Sequence, residues 1–188
     1  MRPTTNNEVN LSPKLSALKV LVVEDTLTQA MMIQHVLEKQ EVQVSIARSG
    51  RKALIALQAL SPDLILCDVN MPEMSGYELC KKVKQDESKA DIPFVLLSTL
   101  VESADLIRVI ESGADNFIYK TFEGDYFIDR LKTILLSHAL KPSEDEATVC
   151  LTLFVQEKGE RLTISSKRAA DLLTSSFEAA VVRNRAGE

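Results

Sequence analysis

Three carboxylates follow two apolar segments of this chain, and together they have the chemistry of a divalent-cation site. Glu24 and Asp25 come directly after the apolar run 19–23, and Asp68 ends the run 63–68. Short apolar runs bounded by turn signals are typical of strands that are buried on both faces of a parallel sheet. Clustered carboxylates repel one another, and burying them costs free energy unless they are paired or bind a metal. Because hard oxygen ligands of this kind suit Mg2+, the sequence predicts a magnesium site.

Two later apolar runs add a hydroxyl and a cation to this set. The run 94–98 is followed by Thr99, and the run 116–119 is followed by Lys120. In an open α/β sheet, ligands bind at the carboxyl edge of the strands. We therefore expect the carboxylates, the hydroxyl and the ammonium to share one site at that edge.

The elements that must position the site alternate between strand and helix. Five strand–helix pairs between residues 17 and 140 predict an α/β fold, with a doubly wound parallel sheet and helices on both faces. Helices are predicted at about 26–40, 49–60, 75–85, 103–112 and 124–138. Gly113 is predicted to cap the fourth helix. Leu60 belongs to a predicted buried stripe, and Met31 and Met32 are expected in or near the core.

The two ends of the chain differ from this domain. Residues 1–16 are polar and predict a flexible N-terminal tail, whereas residues 17–140 form the α/β domain. Residues 141–147 are a polar linker, which we expect to free the following segment from the domain. The remaining segment, 148–188, predicts a β-hairpin followed by a signalling or dimerisation helix.

The final helix contains a heptad seam. Its positions recur at spacings of three and four: Ala170, Leu173, Phe177, Ala180 and Asn184. Such a seam pairs helices, and a polar residue at one position can fix register and oligomer state. We expect this helix to join two copies of the chain as a homodimer. The alternative is that the stripe packs on the hairpin or on the α/β domain.

Composition argues against nucleic-acid binding, membrane contact and a cysteine-based metal site. The chain has 22 basic and 27 acidic residues, a net charge of −5, which argues against direct nucleic-acid binding. No apolar run approaches the length of a membrane span and no signal peptide opens the chain, so we expect no membrane contact and a cytoplasmic location. Cys67, Cys80 and Cys150 have no metal-binding spacing, and we expect them to be small buried hydrophobes in a reducing compartment.

The residues at the strand ends resemble those of a known family. Glu24–Asp25, Asp68, Thr99 and Lys120, in this order, are similar to the receiver domain of two-component response regulators. The resemblance covers roughly residues 17–140 and is specific, because five positions agree at once. It implies a flavodoxin-like five-stranded sheet of order 2-1-3-4-5, in which the first and third strands are neighbours. A weaker resemblance of the tail to the connector of hybrid sensory proteins implies a fragment or a shortened relative.

The resemblance implies how the acidic residues act. Asp68 accepts a phosphoryl group from the phosphohistidine of a histidine kinase or a histidine phosphotransfer protein. Mg2+ is held by Asp25, Asp68 and the main-chain carbonyl of Asn70, and Glu24 acts through a metal-bound water. The protein is then a phospho-accepting switch for an attached or partner output module. It is not an enzyme beyond slow self-dephosphorylation.

The resemblance also implies the roles of the later strand ends. Lys120 pairs with a phosphoryl oxygen, the Thr99 hydroxyl donates to another, and Phe117 is the switch aromatic that reports phosphorylation. Two positions depart from the family pattern. Leu100 replaces a small residue and crowds the site, and Thr121 replaces the proline that usually follows the lysine.

Two other functions compete with the switch. A phosphatase of the haloacid dehalogenase type also uses a strand-end aspartate with Mg2+, but it needs a second aspartate two positions later, where this chain has Asn70. A phosphorylation-independent adaptor that retains only the fold is favoured if Leu100 and Thr121 close the site. The complete set of acids argues for the switch.

Overall fold

Five parallel strands carry the site, in a computed structural model that describes residues 15–99, 103–120, 124–139, 148–155, 158–165 and 169–176. The strands are β1 (Lys19–Val23), β2 (Gln43–Ala47), β3 (Leu64–Asp68), β4 (Phe94–Ser98) and β5 (Asn116–Tyr119). They lie in the order β2-β1-β3-β4-β5 and every pair is parallel, which confirms the predicted fold. Because Val23 is in register with Cys67, the acids that end β1 and β3 emerge side by side.

The apolar composition of the strands follows from burial on both faces. Every residue of β3 and β4 is buried, which explains their continuous apolar runs. Successive strand residues alternate between two core clusters, one on each face. Ile65 and Cys67 belong to the cluster beneath α2, α3 and α4, whereas Leu64 and Leu66 belong to the cluster beneath α1 and α5. Cys67 and Cys80 are free buried thiols, as expected; the side chain of Cys150 lies outside the description.

The helices agree with the predicted pattern except at two places. They are α1 (Leu27–Glu38), α2 (Gly50–Ala56), α3 (Gly76–Lys84), α4 (Ser103–Ser112) and α5 (Gly124–Ala139). Gly113 follows α4 with φ +83°, which confirms the predicted cap. The prediction that Leu60 is buried is wrong, because α2 ends at Ala56 and the helical spacing of the stripe does not continue to Leu60, which is 41% exposed. Met31 and Met32 are also exposed rather than core residues, because α1 buries Ala30, Ile33 and Leu37 instead.

The N-terminal boundary of the domain lies slightly earlier than predicted. Residues 1–14 of the expected tail lie outside the described part of the chain. Leu15, however, is buried and packs in the cluster that contains Val20 and Val22. The packed domain therefore includes Leu15.

No described helix has both the length and the apolar character that a membrane crossing requires.

The C-terminal segment contains the predicted hairpin. Strand β6 (Thr148–Val155) pairs antiparallel with β7 (Lys158–Ser165), and β6 lies against α4. The linker 141–147 lies outside the described residues. Residues 169–176 are helical, and their Ala169 and Leu172 are buried in the same core cluster as Val109 and Phe117. The expectation that the linker frees this segment from the domain is therefore wrong.

A buried polar contact fixes the helical segment 169–176 to the domain. Ser175 is buried, its hydroxyl faces Asn116 Oδ1, and it accepts a hydrogen bond from Arg130 Nη2. We call Asn116, Arg130 and Ser175 the C-terminal lock. Asp171 Oδ2 adds a second contact by accepting a hydrogen bond from Ser137 Oγ at 2.7 Å.

The predicted heptad seam lies on the other side of this segment. Ala170 is exposed, and Leu173 is 51% exposed. The other seam positions, Phe177, Ala180 and Asn184, lie outside the described residues. The pairing of two chains therefore stays a prediction.

Candidate functional site

The carboxyl edge of the sheet brings three of the predicted acids together. Carboxylate oxygens of Glu24, Asp25 and Asp68 all lie within 4.8 Å of one another. We call these residues the acid cluster. Glu24 and Asp68 are buried, and Asp25 is half-buried at the rim. The cluster exists because β1 and β3 are neighbours in the sheet and both end at this edge.

Lys120 lies inside the acid cluster. Its Nζ is 2.7 Å from Asp68 Oδ1 and 2.8 Å from Glu24 Oε2, and it donates to Gln29 Oε1 at 2.8 Å. The Lys120 side chain is 7% exposed, and those of Glu24 and Asp68 are 0% and 8% exposed. The Lys120 amide donates to the Ser98 carbonyl at 2.7 Å, so β4 holds the base of this side chain. One ammonium has three N–H donors, and here each of them has an acceptor.

Burial controls the protonation of Glu24. Removal from water raises the pKa of its carboxyl group, because it disfavours the charged form. The Lys120 ammonium lowers the pKa of Glu24 through its hydrogen bond and its charge. The nearby Asp68 carboxylate raises it further. The other oxygen of Glu24 accepts a hydrogen bond from the Thr26 amide at 3.2 Å. Glu24 therefore depends on its neighbours for its ionised form.

Two polar residues near the acid cluster were missed by the sequence reasoning. Gln29 lies in the first turns of α1, four residues after Asp25, so that helical spacing could have placed it on the side of the site. Arg48 directly follows β2, and its Nε donates to the main-chain carbonyl of Asp25 at 3.0 Å, with Nη2 on the same oxygen. The other site residues were predicted because they directly follow strands, and the same reasoning applied to β2 would have found Arg48.

The turn after Asp68 brings α3 against the backbone of β3. The Gly76 amide donates to the Val69 carbonyl at 2.9 Å, and a Cβ at Gly76 would lie 2.3 Å from the Asp68 carbonyl oxygen. Only glycine permits this approach. Ser75 and Glu78 form a capping box that begins α3 at the same point. Asn70, whose carbonyl is the expected fourth metal ligand, is exposed in this turn.

The remaining predicted residues lie on β4 and β5. Thr99 is exposed directly after β4, and Phe117 is buried in β5 within the core cluster beneath α4. Leu100 and Thr121, the two departures from the family pattern, lie outside the described residues.

The donor set of this site fits Mg2+. Three carboxylates face one ammonium, so the cluster has an excess of negative charge. All the candidate side-chain ligands are oxygens, as Mg2+ prefers, and Asp25 at the rim leaves the edge accessible to the waters that this ion retains.

Comparisons with known proteins agree with this geometry. The family model described as response regulator receiver domain matches residues 20–132. The DNA-binding response regulator MtrA of Mycolicibacterium paratuberculosis is 31% identical over 126 residues, which cover 67% of this chain and 55% of that protein. Histidine kinase P4 of Formosa agariphila is 40% identical over 116 residues, which cover 62% of this chain and 8% of that protein.

A solved structure resembles the chain over the same region. It is the signal receiver domain of a signal transduction histidine kinase from Syntrophus aciditrophicus, with a TM-score of 0.60 and 38% identity over 70% of this chain and 98% of that one. The chain spans about half the length of relatives such as MtrA. The family match ends before the hairpin and the helical segment 169–176.

Proposed function

Because the chain belongs to the response regulator receiver domain family, we propose that it is a phospho-accepting switch of two-component signalling. Its phosphodonor is the phosphohistidine of a histidine kinase or a histidine phosphotransfer protein. The observation that carries this proposal is the Lys120 ammonium, held between Asp68 and Glu24 at the edge of the sheet. A buried carboxylate with a cation on one oxygen is suited to receive an anionic group.

Asp68 is the proposed nucleophile. One carboxylate oxygen attacks phosphorus, the bond from phosphorus to the histidine nitrogen breaks, and that nitrogen keeps the electron pair. The product is an aspartyl phosphate together with a free histidine on the donor. Lys120 exchanges its contact with Asp68 Oδ1 for one with a phosphoryl oxygen, so the new negative charge forms beside an ammonium already in place.

The acid cluster would hold the metal that this reaction needs. Asp25, Asp68 and the Asn70 carbonyl are the proposed ligands, with Glu24 acting through a metal-bound water. When bound, Mg2+ neutralises the repulsion between the carboxylates and the incoming phosphoryl group. Arg48 fixes the Asp25 main chain beside this position through its contact with the carbonyl.

The proposed switch links the site to the rest of the domain. The Thr99 hydroxyl donates to a phosphoryl oxygen, and Phe117 changes its packing in response. Phe117 and Leu172 of the helical segment 169–176 belong to the same core cluster, and packing within this cluster is the proposed route from the ring to the C-terminal segment.

The chain is proposed to act as a switch rather than as an enzyme, with at most slow self-dephosphorylation. We expect it to work in the cytoplasm on an attached or partner output module. The matched MtrA is by name a DNA-binding protein, but the acidic balance of this chain favours no direct nucleic-acid contact.

The exposed seam of the last helix supports a proposed homodimer. Leu173 presents an apolar side chain to solvent although the opposite side of its helix is buried. The full chain should sediment as a dimer at tens of micromolar, and Leu173→Glu should make it monomeric. The matched change Thr174→Glu introduces the same charge off the seam. A monomeric wild-type chain would remove the pairing role.

Phosphorylation of Asp68 is tested most directly by intact mass. With acetyl phosphate and Mg2+, the wild-type chain should gain one phosphoryl group, and Asp68→Ala should gain none. Beryllofluoride, a phosphoryl mimic, should bind only when Mg2+ is present. If wild type takes up neither group, the chain is an adaptor that retains the fold; if Asp68→Ala is labelled as fully as wild type, another residue is the acceptor.

A further inference from the structure

We propose that Gln29 is the positioning residue of Lys120, which keeps the ammonium in place while its two charged partners change. This inference rests on the proposed phosphorylation of Asp68. It starts from the three acceptors of Lys120 Nζ, which are Asp68, Glu24 and the neutral amide oxygen of Gln29.

The two carboxylates cannot keep Lys120 fixed through the reaction. Asp68 is the nucleophile, and its oxygen becomes part of the new acyl phosphate bond or turns toward the metal. Glu24 belongs to the acid cluster, so a cation among the carboxylates competes with Lys120 for its charge. Gln29 carries no charge, and its amide oxygen is not among the proposed metal ligands. Its hydrogen bond to Lys120 is the one that neither the metal nor the phosphoryl group displaces.

Packing alone does not fix the Lys120 side chain. An apolar cavity of about 40 Å3 lies beside it and is lined by Lys120 together with Met32, Ile33, Val36, Leu97 and Phe127. A lysine stem has several rotatable bonds, and the cavity leaves part of this one without close packing. The position of Nζ is therefore set by its acceptors.

The place of Gln29 in the fold suits this role. It is half-buried at the start of α1, next to Ala30, which is fully buried against the sheet. The helix therefore fixes the backbone of Gln29 at a place from which its side chain reaches Lys120 at the end of β5. A leucine at this position would keep the bulk and lose the acceptor, whereas a glutamate would add a fourth anion beside the phosphoryl group.

The test compares two Gln→Leu changes on the same helix. Gln29→Leu removes the acceptor of Lys120, and Gln34→Leu removes an amide that bonds only within α1, to Glu38 at 2.7 Å, in what the structure describes of this side chain. Beryllofluoride affinity in saturating Mg2+ should fall roughly tenfold in Gln29→Leu, the size expected for a lost hydrogen bond to a charged group. The maximal rate of phosphorylation by acetyl phosphate should fall similarly. Gln34→Leu should match wild type in both.

Two further measurements separate positioning from a structural role. Mg2+ affinity without beryllofluoride should be the same in Gln29→Leu as in wild type, because the amide is not a proposed metal ligand. In a Lys120→Met background, Gln29→Leu should cause no additional loss of beryllofluoride affinity, since the two residues then no longer interact.

Each outcome decides the matter. If wild type responds to beryllofluoride and Gln29→Leu responds equally, or if the loss persists in Lys120→Met, the inference about Gln29 is overturned and the proposed function stands. An equal loss in Gln34→Leu or a parallel loss of Mg2+ affinity also overturns it. If wild type itself does not respond, the proposed function fails and this inference fails with it.

Discussion

Strand β5 has a buried polar cluster at each end. Lys120, directly after the strand, lies among the carboxylates of the acid cluster, and Asn116, its first residue, belongs to the C-terminal lock. Four residues of extended chain, about 13 Å, separate the two. The first cluster is charged and lies at an accessible edge of the sheet, whereas the second joins one cation to two neutral side chains and is covered by the chain itself.

The difference shows what each cluster contributes. In the acid cluster, repulsion between carboxylates works against stability, and the ionised form of Glu24 is disfavoured by burial. Such an arrangement is expected where a ligand completes the site. In the C-terminal lock, Ser175 joins the helical segment 169–176 to two buried polar side chains of the domain, Asn116 and Arg130. The C-terminal lock stabilises the fold, and the acid cluster is where the proposed reaction takes place.

Gly76→Ala should have the largest effect, because it disturbs the backbone on which the acid cluster depends. The new Cβ would lie 2.3 Å from the Asp68 carbonyl oxygen and 3.0 Å from Val69 Cα. We expect a loss of about 2–3 kcal/mol in the free energy of unfolding, the range for overpacking, and weaker beryllofluoride binding. Urea denaturation measures the free energy of unfolding, and a titration in the presence of Mg2+ measures the beryllofluoride affinity.

Gly124→Ala is the matched control for this change. Among the described residues, a Cβ there would meet the Val36 methyl groups, at 3.6 and 3.7 Å, which is ordinary contact. If both variants lose the same stability, the close approach at Gly76 is not what constrains the site.

Ser175→Ala should affect only the other cluster. It removes the hydroxyl between Asn116 Oδ1 and Arg130 Nη2, so we expect a loss of about 1–3 kcal/mol in stability. Amide hydrogen exchange should accelerate at 169–176, while beryllofluoride binding stays as in wild type. Thr174→Ala, at an exposed neighbour, should change neither. Accelerated exchange at Lys120 of the same size would mean that the two clusters are not independent.

The pH dependence of stability should reveal the buried carboxyl group of Glu24 in the acid cluster. Burial raises the pKa of Glu24 above its ordinary value of 4.5, so the folded state binds this proton more tightly than the unfolded state does. The stabilisation due to Glu24 is therefore complete below pH 4.5 and is lost as pH rises through the folded pKa. The unfolding free energy of wild type minus that of Glu24→Gln should fall over this window in Mg2+-free buffer. A difference that increases with pH would contradict the effect of burial.

Glu73→Gly should have the smallest effect on stability. Glu73 lies in the turn between β3, which ends at Asp68, and α3. Glu73 has φ 65°, which costs a non-glycine residue about 1–2 kcal/mol. Glycine relieves this cost but loses more conformational entropy on folding, so we expect a net gain of about 0.5 kcal/mol. The exposed ion pair of Glu73 with Arg51 contributes little, and Arg51→Ala measures it separately. A loss of stability larger than that of Arg51→Ala would show that the backbone at Glu73 is not strained.

The sequence was sufficient for the part of the molecule that depends on local pattern. Buried strands have continuous apolar runs and end at polar residues, so Asp68 and Lys120 could be placed at one edge of the sheet. The order of the strands came from the family resemblance. The spacing of apolar residues predicted most of the buried helix faces. It does not show where a helix ends, and for that reason Leu60 was wrongly predicted to be buried.

Contacts between distant residues were beyond the sequence. Ser175 meets Arg130 and Asn116 across 45 and 59 positions, and no spacing or composition signals such a meeting. The polar composition of 141–147 predicted a free tail, but composition does not show that the later segment packs, and Ala169 and Leu172 are buried in the core. Gln29 was missed because its role depends on a side chain 91 positions later.

The buried thiol beside Asp68 can report how often strand β3 opens. Cys67 Sγ lies 3.2 Å from the Asp68 carbonyl, and burial raises the pKa of this thiol well above its ordinary value. A thiol in this state reacts with an alkylating reagent only when β3 separates from its neighbours, so the rate of alkylation counts such openings. With Cys150 replaced by serine, Cys80, on the buried face of α3, provides a second alkylation rate from the same sample. The two alkylation rates would measure how often the strand of the proposed phospho-acceptor opens, at thiols that the chain already contains.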